Sequence, residues 1–195
     1  MKKILSILIL VACLSTLFSC AFGGGNKTAD ITAFQNAVMN TDVKNIVITA
    51  VTENDLGTLT STYEVSYKDD NTSVIKYSYQ KFNAIGEGAE DEIISTYTGT
   101  VTRKADGTYE GDLPEGVNLS SATVGMVLDF TAVKDTAVVS EDGNVMTVTV
   151  PAASTSAVFG YSFSKDVEFE MTLSNGTIAS MVLTFEGGSI DYKYN

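Results

Sequence analysis

The chain has 195 residues, 44% of them hydrophobic, with 12 basic and 24 acidic residues and a net charge of −12. That balance argues against partners recognised through positive charge, nucleic acid above all. The absence of histidine excludes Ser-His-Asp and Cys-His catalysis and His-based zinc sites.

Residues 1–20, MKKILSILILVACLSTLFSC, read as an address and an anchor. Lys2 and Lys3 make a positive start, Ile4 to Leu14 is an almost unbroken apolar run, and small or polar residues lead to Cys20. This is the layout of a secretory signal peptide. The run Ile4–Phe18 is shorter than the roughly 20 apolar residues a membrane-spanning helix needs. Leu17-Phe18-Ser19-Cys20 resembles the lipobox of bacterial lipoproteins, with Leu17 and Ser19 in fitting positions and Phe18 departing from the usual small residue. The resemblance implies that residues 1–19 are removed and that Cys20 becomes the acylated first residue. The protein would then be exported and held through an N-terminal lipid anchor in the bacterial cell membrane or outer membrane. Two or more acyl chains, at about 0.8 kcal/mol per buried methylene, hold a protein stably. Ala21 is not acidic, which by the same family rule permits outer-membrane sorting. The alternative is an ordinary signal peptide with a chance cysteine at its end.

Cys13 and Cys20 are the only cysteines. If Cys13 is discarded and Cys20 lipidated, the folded domain has neither disulfide nor thiolate metal site, and its stability must come from a core. Cleavage also removes two lysines and no acid, leaving a net charge of −14. Residues 20–27 form a Gly-rich tether, whose seven residues after Cys20 span about 25 Å when extended. Residues 28–195 suit one domain, with no internal repeat.

Thr28-Ala29-Asp30 can cap a helix ending near Asn40, with Ile31, Phe34 and Val38 on one face. From Asn45 onward the dominant period is two, the mark of strands with one buried face. Leu59–Tyr67, Met146–Val150, Val167–Leu173 and Ile190–Tyr194 all alternate in this way. Asp69-Asp70-Asn71, Ala105-Asp106-Gly107, Asp142-Gly143-Asn144 and Ser174-Asn175-Gly176-Thr177 read as hairpin loops. Roughly eight to ten antiparallel strands result. Leu119–Val133 is ambiguous: Ser120 or Ser121 can cap a helix burying Thr123, Val127 and Phe130, yet Val124, Met126, Leu128 and Phe130 also alternate. A helix or irregular cover is favoured there, and Ser154–Phe159 reads as a helical turn or a loop.

The expected fold is mainly β (α+β): a curved antiparallel sheet or half-open β-barrel with one or two covering helices. In architecture this is similar to the lipoprotein-localisation-factor superfamily, half-open barrels with helical lids that include mycobacterial lipid-binding lipoproteins. That resemblance implies an apolar groove that binds acyl chains or a similar hydrophobic ligand. The inward-facing candidates to line it are Tyr63, Val65, Tyr67, Tyr77, Tyr79, Tyr97, Met171, Met181 and Phe185. A tyrosine, with an apolar body and a polar tip, suits an amphiphile; ordinary half-buried packing explains the same positions. No catalytic residue, metal ligand or cofactor is singled out. Glu168 and Glu170 fit a solvated strand face, and the acidic segment 86–92 lacks the ligand spacing of a calcium loop. Two expectations stand side by side. One is a groove for a lipid or other hydrophobic small molecule. The other is a packed, non-catalytic interaction module presenting Thr58, Thr60, Thr62, Thr96, Thr98 and Thr100 outward.

Overall fold

Period-two alternation gives each long strand an apolar and a polar face, and ten strands pair into one sheet that segregates them. The computed structural model describes residues 30–69, 71–83, 94–123, 128–160 and 162–195. One meander contains β1 (Asn45–Asn54), β2 (Gly57–Tyr67), β3 (Ser73–Phe82), β4 (Ile94–Arg103) and β5 (Tyr109–Gly111). A second contains β6 (Val138–Val139), β7 (Val145–Val150), β8 (Val167–Ser174), β9 (Thr177–Phe185) and β10 (Gly188–Tyr194). All pairings are antiparallel, in the order β5-β4-β3-β2-β1-β10-β9-β8-β7-β6. β1 and β10 join the meanders at the centre, and the short β5 and β6 stand at opposite edges. The sheet is therefore open, not closed into a barrel.

The turns follow their side-chain chemistry. The Asp69 carboxylate accepts from the N–H groups of Asn71 and Thr72 and from the Thr72 hydroxyl. Asp106 does the same for Thr108, and Asp142 for Asn144 N–H and the Ser140 hydroxyl. Such Asx turns hold the chain reversal without help from the core. Asn175 (φ 54°) and Gly176 (φ 77°) are both left-handed, as a type I′ hairpin between β8 and β9 requires. The lipobox, the tether, the acidic segment 86–92 and residues 124–127 lie outside the described residues.

Helical segments cover one face of the sheet. α1 (Thr32–Asn40) starts just after Asp30, whose carboxylate accepts the Thr32 N–H at 3.0 Å. Ile31, Phe34 and Ala37 are buried towards β8 and β9, and Val38 is half-buried at the margin. Of 119–133, the described residues form a single turn of helix, α2 (Ser120–Thr123), and a 3-10 turn at Phe130–Ala132. Leu119, Ala122, Phe130 and Val133 carry its burial; the Thr123 side chain and Val127 are outside what the structure describes. A 3-10 turn at Ala152–Ser154 leads into α3 (Thr155–Phe159), which buries Val158 and Phe159. Among the described residues the cover is thus a few short helical stretches, as the expected fold of a sheet with covering helices has it.

The cover matters because β5 and β6 stand at opposite edges, and the described residues between them, 112–123 and 128–137, lie against the inner face. Two tyrosines hold the first of these stretches. The Tyr77 hydroxyl donates to the Asp112 carbonyl at 3.1 Å, and the Tyr63 hydroxyl to the Asn118 carbonyl at 3.2 Å. Each ring is buried while its polar tip is satisfied by backbone that would otherwise lose water. Gly99, opposite Tyr77 in β4, leaves room for that ring, since a Cβ there would collide with the phenol. Beneath the cover the register aligns apolar rows across the sheet. One reads Tyr77, Tyr63, Ile48, Tyr192, Met181, Met171, Met146; the next includes Ala50, Ile190, Leu183, Phe169 and Val148. Each fully buried large side chain stabilises the fold by about 1.5–3 kcal/mol.

Candidate functional site

The inner face is closed at one end and open at the other. At the closed end aromatic rings stack across the sheet and its cover: Phe130 and Phe159 lie 5.5 and 5.6 Å from Phe169, and Phe163 bridges Phe159 (6.0 Å) and Phe185 (5.3 Å). Phe130, Phe159 and Phe169 are fully buried.

At the open end a cleft of about 670 Å³ lies between the C-terminal end of α1 and the central strands. Its apolar wall comes from Ile46 and Ile48 of β1, Ile178 and Met181 of β9, and Tyr192 and Tyr194 of β10, with Val38, Val43 and Leu128 from the cover. Its rim is polar: Thr41, Asp42, Lys44, Asn45, Tyr67, Lys68 and Asp69. Thr41 builds the corner. Its hydroxyl donates to the Ala37 carbonyl at 2.7 Å and accepts the Ile178 N–H at 3.0 Å, tying the helix end to β9 beside the register shift at Thr172/Leu173. The cleft volume falls within the range of small-molecule sites, about 300–1,000 Å³.

The electrostatics of the cleft are mild. Burial pushes the Tyr194 phenol well above its ordinary value, helped by the neighbouring Tyr67, and its hydroxyl donates weakly to the Met181 sulfur at 3.9 Å. Burial also raises the Tyr67 phenol, against the opposing charge of Arg103. Both are neutral hydrogen-bonding groups at neutral pH, poor as general bases. On the rim, Lys44 pairs with Asp42 at 3.2 Å, and both are exposed.

The nine sequence candidates do not form one constellation. Tyr67 and Met181 line the cleft. Tyr63 and Tyr79 border a smaller pocket of about 180 Å³ beside Ala50, Leu59 and Asn118. Val65, Tyr77 and Met171 sit in the packed core. Tyr97 is half-buried with the Lys81 ammonium 5.2 Å from its ring centre, and Phe185 belongs to the closed aromatic end. The cleft residues missing from that set, among them Ile46, Ile48, Ile178, Tyr192 and Tyr194, come together only through β1–β10 pairing and α1 docking. The alternation of Ile190, Tyr192 and Tyr194 was the available signal. Glu168 and Glu170 are exposed, edging an outer-face depression of about 340 Å³ with Thr147, Thr149 and Thr184. Among the described residues no three acidic, His or Cys side chains gather as a metal site.

No family model matches the chain, and no curated protein matches it. Among solved structures the chain is similar to LprF from Mycobacterium bovis, with a TM-score of 0.43 and 10% identity over 88% of this chain and 94% of that one. A likeness that distant assigns neither a ligand nor a partner.

Proposed function

We propose that this chain is an exported lipoprotein, anchored to the membrane through acylated Cys20, that binds the apolar part of a lipid or similar amphiphile in the open cleft. The observation that carries the reading is the contrast along the inner face. A sheet that fills one end with interlocked phenylalanines leaves a cleft of about 670 Å³ at the other, walled by Ile46, Ile48, Ile178 and Met181. Ile46, Ile48, Ile178 and Met181 are themselves almost fully buried, so an acyl chain would gain mainly by covering the half-buried Val38, Val43, Leu128 and Tyr194 around them, at about 25 cal/mol per Å² of apolar surface. The polar rim suits a head group that stays in water. The reading is non-catalytic and involves no cofactor and no nucleic acid: the chain has no histidine, and its acids outnumber its bases two to one.

The test is mass spectrometry with lipid extraction on the domain from Gly23 onward, which retains every described core residue. A lipid or fatty acid released on denaturation in stoichiometric amount is the expected result. Clean protein that also takes up no fluorescent fatty-acid probe would sink the reading. The packed interaction module, with its threonine-rich outer face, would replace it.

A further inference from the structure

The size of the cleft limits how many acyl chains it holds. A methylene takes about 27 Å³, close to a water's share of liquid volume, so a sixteen-carbon chain fills about 430 Å³ and a pair about 860 Å³. The cleft offers about 670 Å³. One chain fits and two do not. Both directions along the inner face are already filled. Towards β8, Phe34 and Ala37 of α1 are fully buried on β8 and β9, and the ring stack on Phe169 lies beyond them. Towards β2, the buried Tyr63 holds the Asn118 backbone over the sheet, with Leu119 buried beside it. The apolar surface left open is also small. Val38, Val43, Leu128 and Tyr194 are half-buried, whereas the isoleucines and Met181 beneath them are almost fully covered. Four such side chains flank one chain and do not sheath two.

Resting on the reading of the cleft as a ligand site, we infer that its occupant is an amphiphile with a single acyl chain, a free fatty acid or a lysolipid, and not a diacyl lipid. The rim adds to the limit set by volume. Asp42, Lys44, Lys68 and Asp69 stand on it, two carboxylates and two ammonium groups, so it favours neither sign of head. It opposes a second chain. A diacyl lipid with one chain in the cleft would lay the other against these charged groups, which lose water for nothing in return. A single-chain amphiphile leaves only its head there.

The experiment uses the full chain in nanodiscs of phosphatidylcholine. Three probes carry the same photoactivatable palmitoyl chain: the free acid, a monoacyl phosphatidylcholine and a diacyl phosphatidylcholine. They are equilibrated overnight at equal mole fraction, and crosslinks are mapped by peptide mass spectrometry. Each probe's crosslinks in the cleft are divided by its crosslinks to the scaffold protein of the disc, which report its concentration in the bilayer. At least one single-chain probe is expected to label residues 41–48 and 178–194 about fivefold or more above the diacyl probe, and whichever does so identifies the source of the chain. Val43→Trp, which fills the space beside α1, should lower that labelling about three- to tenfold. Should this variant fail to fold, the three probes on the unaltered chain decide alone. Equal labelling by all three, or more by the diacyl probe, would overturn the single chain while leaving an apolar ligand in the cleft. Labelling of neither stretch by any probe, or labelling that a folded Val43→Trp variant leaves unchanged, would remove both this inference and the ligand site beneath it.

Discussion

The two ends of the inner face use the same strands for opposite purposes. At the closed end, Phe130 and Phe159 from the cover lock over Phe169 of β8. Phe159 is near Phe169 in sequence, whereas Phe130 reaches it from the segment before β6. At the open end, α1 stops at Asn40 and Thr41 turns the chain towards β1. The wall left there is made of isoleucine, methionine and tyrosine, residues that tolerate a changing neighbour better than interlocked rings do. Aromatic rings fill the face where the cover is complete, and a cleft remains where the cover ends.

The largest effect should come from breaking the closed end. Phe169→Ala removes the ring on which two others stack and is expected to cost about 3–5 kcal/mol in urea unfolding. Tyr67→Ala, on the cleft rim and 39% exposed, should cost under about 1 kcal/mol in the same assay. Equal losses from the two would erase the distinction between the ends. Gly99→Ala tests the pinning of the cover: the new methyl displaces the Tyr77 phenol from the Asp112 carbonyl, for an expected loss of about 1–3 kcal/mol. Tyr77→Phe, which keeps the ring and loses only the hydrogen bond, should cost less. Thr41→Val removes both hydrogen bonds at the corner of the cleft and should destabilise by about 1–2 kcal/mol. Hydrogen exchange at the Ile178 amide should speed up before the global stability changes much.

The smallest effect is a pH dependence. Burial raises the phenols of Tyr63, Tyr67 and Tyr194 above 10.0, the ordinary value at which they titrate when unfolded. Above that pH the folded chain keeps protons that the unfolded chain gives up. The stability this burial confers is complete below pH 10 and declines as pH rises beyond it. Tyr194→Phe should flatten the alkaline decline without shifting the neutral baseline by more than about 1 kcal/mol. An unchanged slope would mean that the Tyr194 phenol reaches water freely.

Much of this fold was legible because its determinants are local. Alternation in Val167–Leu173 and in Ile190–Tyr194, and Asx or Asn-Gly chemistry between runs, need only neighbours a few residues away, and the strands and turns follow them. The helix after Asp30 was legible for the same reason. The site was not. Tyr63 and Tyr77 carry the same inward pattern as Tyr67, yet their hydroxyls are spent on the backbone of a cover segment whose position no local signal reveals. In 119–133 neither period accounts for the burial of the described residues, Leu119, Ala122, Phe130 and Val133, which come from two short turns of cover and not from one regular element. The cleft wall depends on pairing β1 with β10, more than a hundred residues apart, and on where α1 lands. Inward orientation marks a core residue; only the end of the cover decides which core residues border the cleft.

The most direct test is hydrogen–deuterium exchange of the full chain with and without a long-chain fatty acid. The account predicts added protection confined to residues 41–48, 178–182 and 192–195, with the aromatic end at 155–169 unchanged because it is already closed. Protection centred on 155–169, or none anywhere at saturating fatty acid, would contradict it.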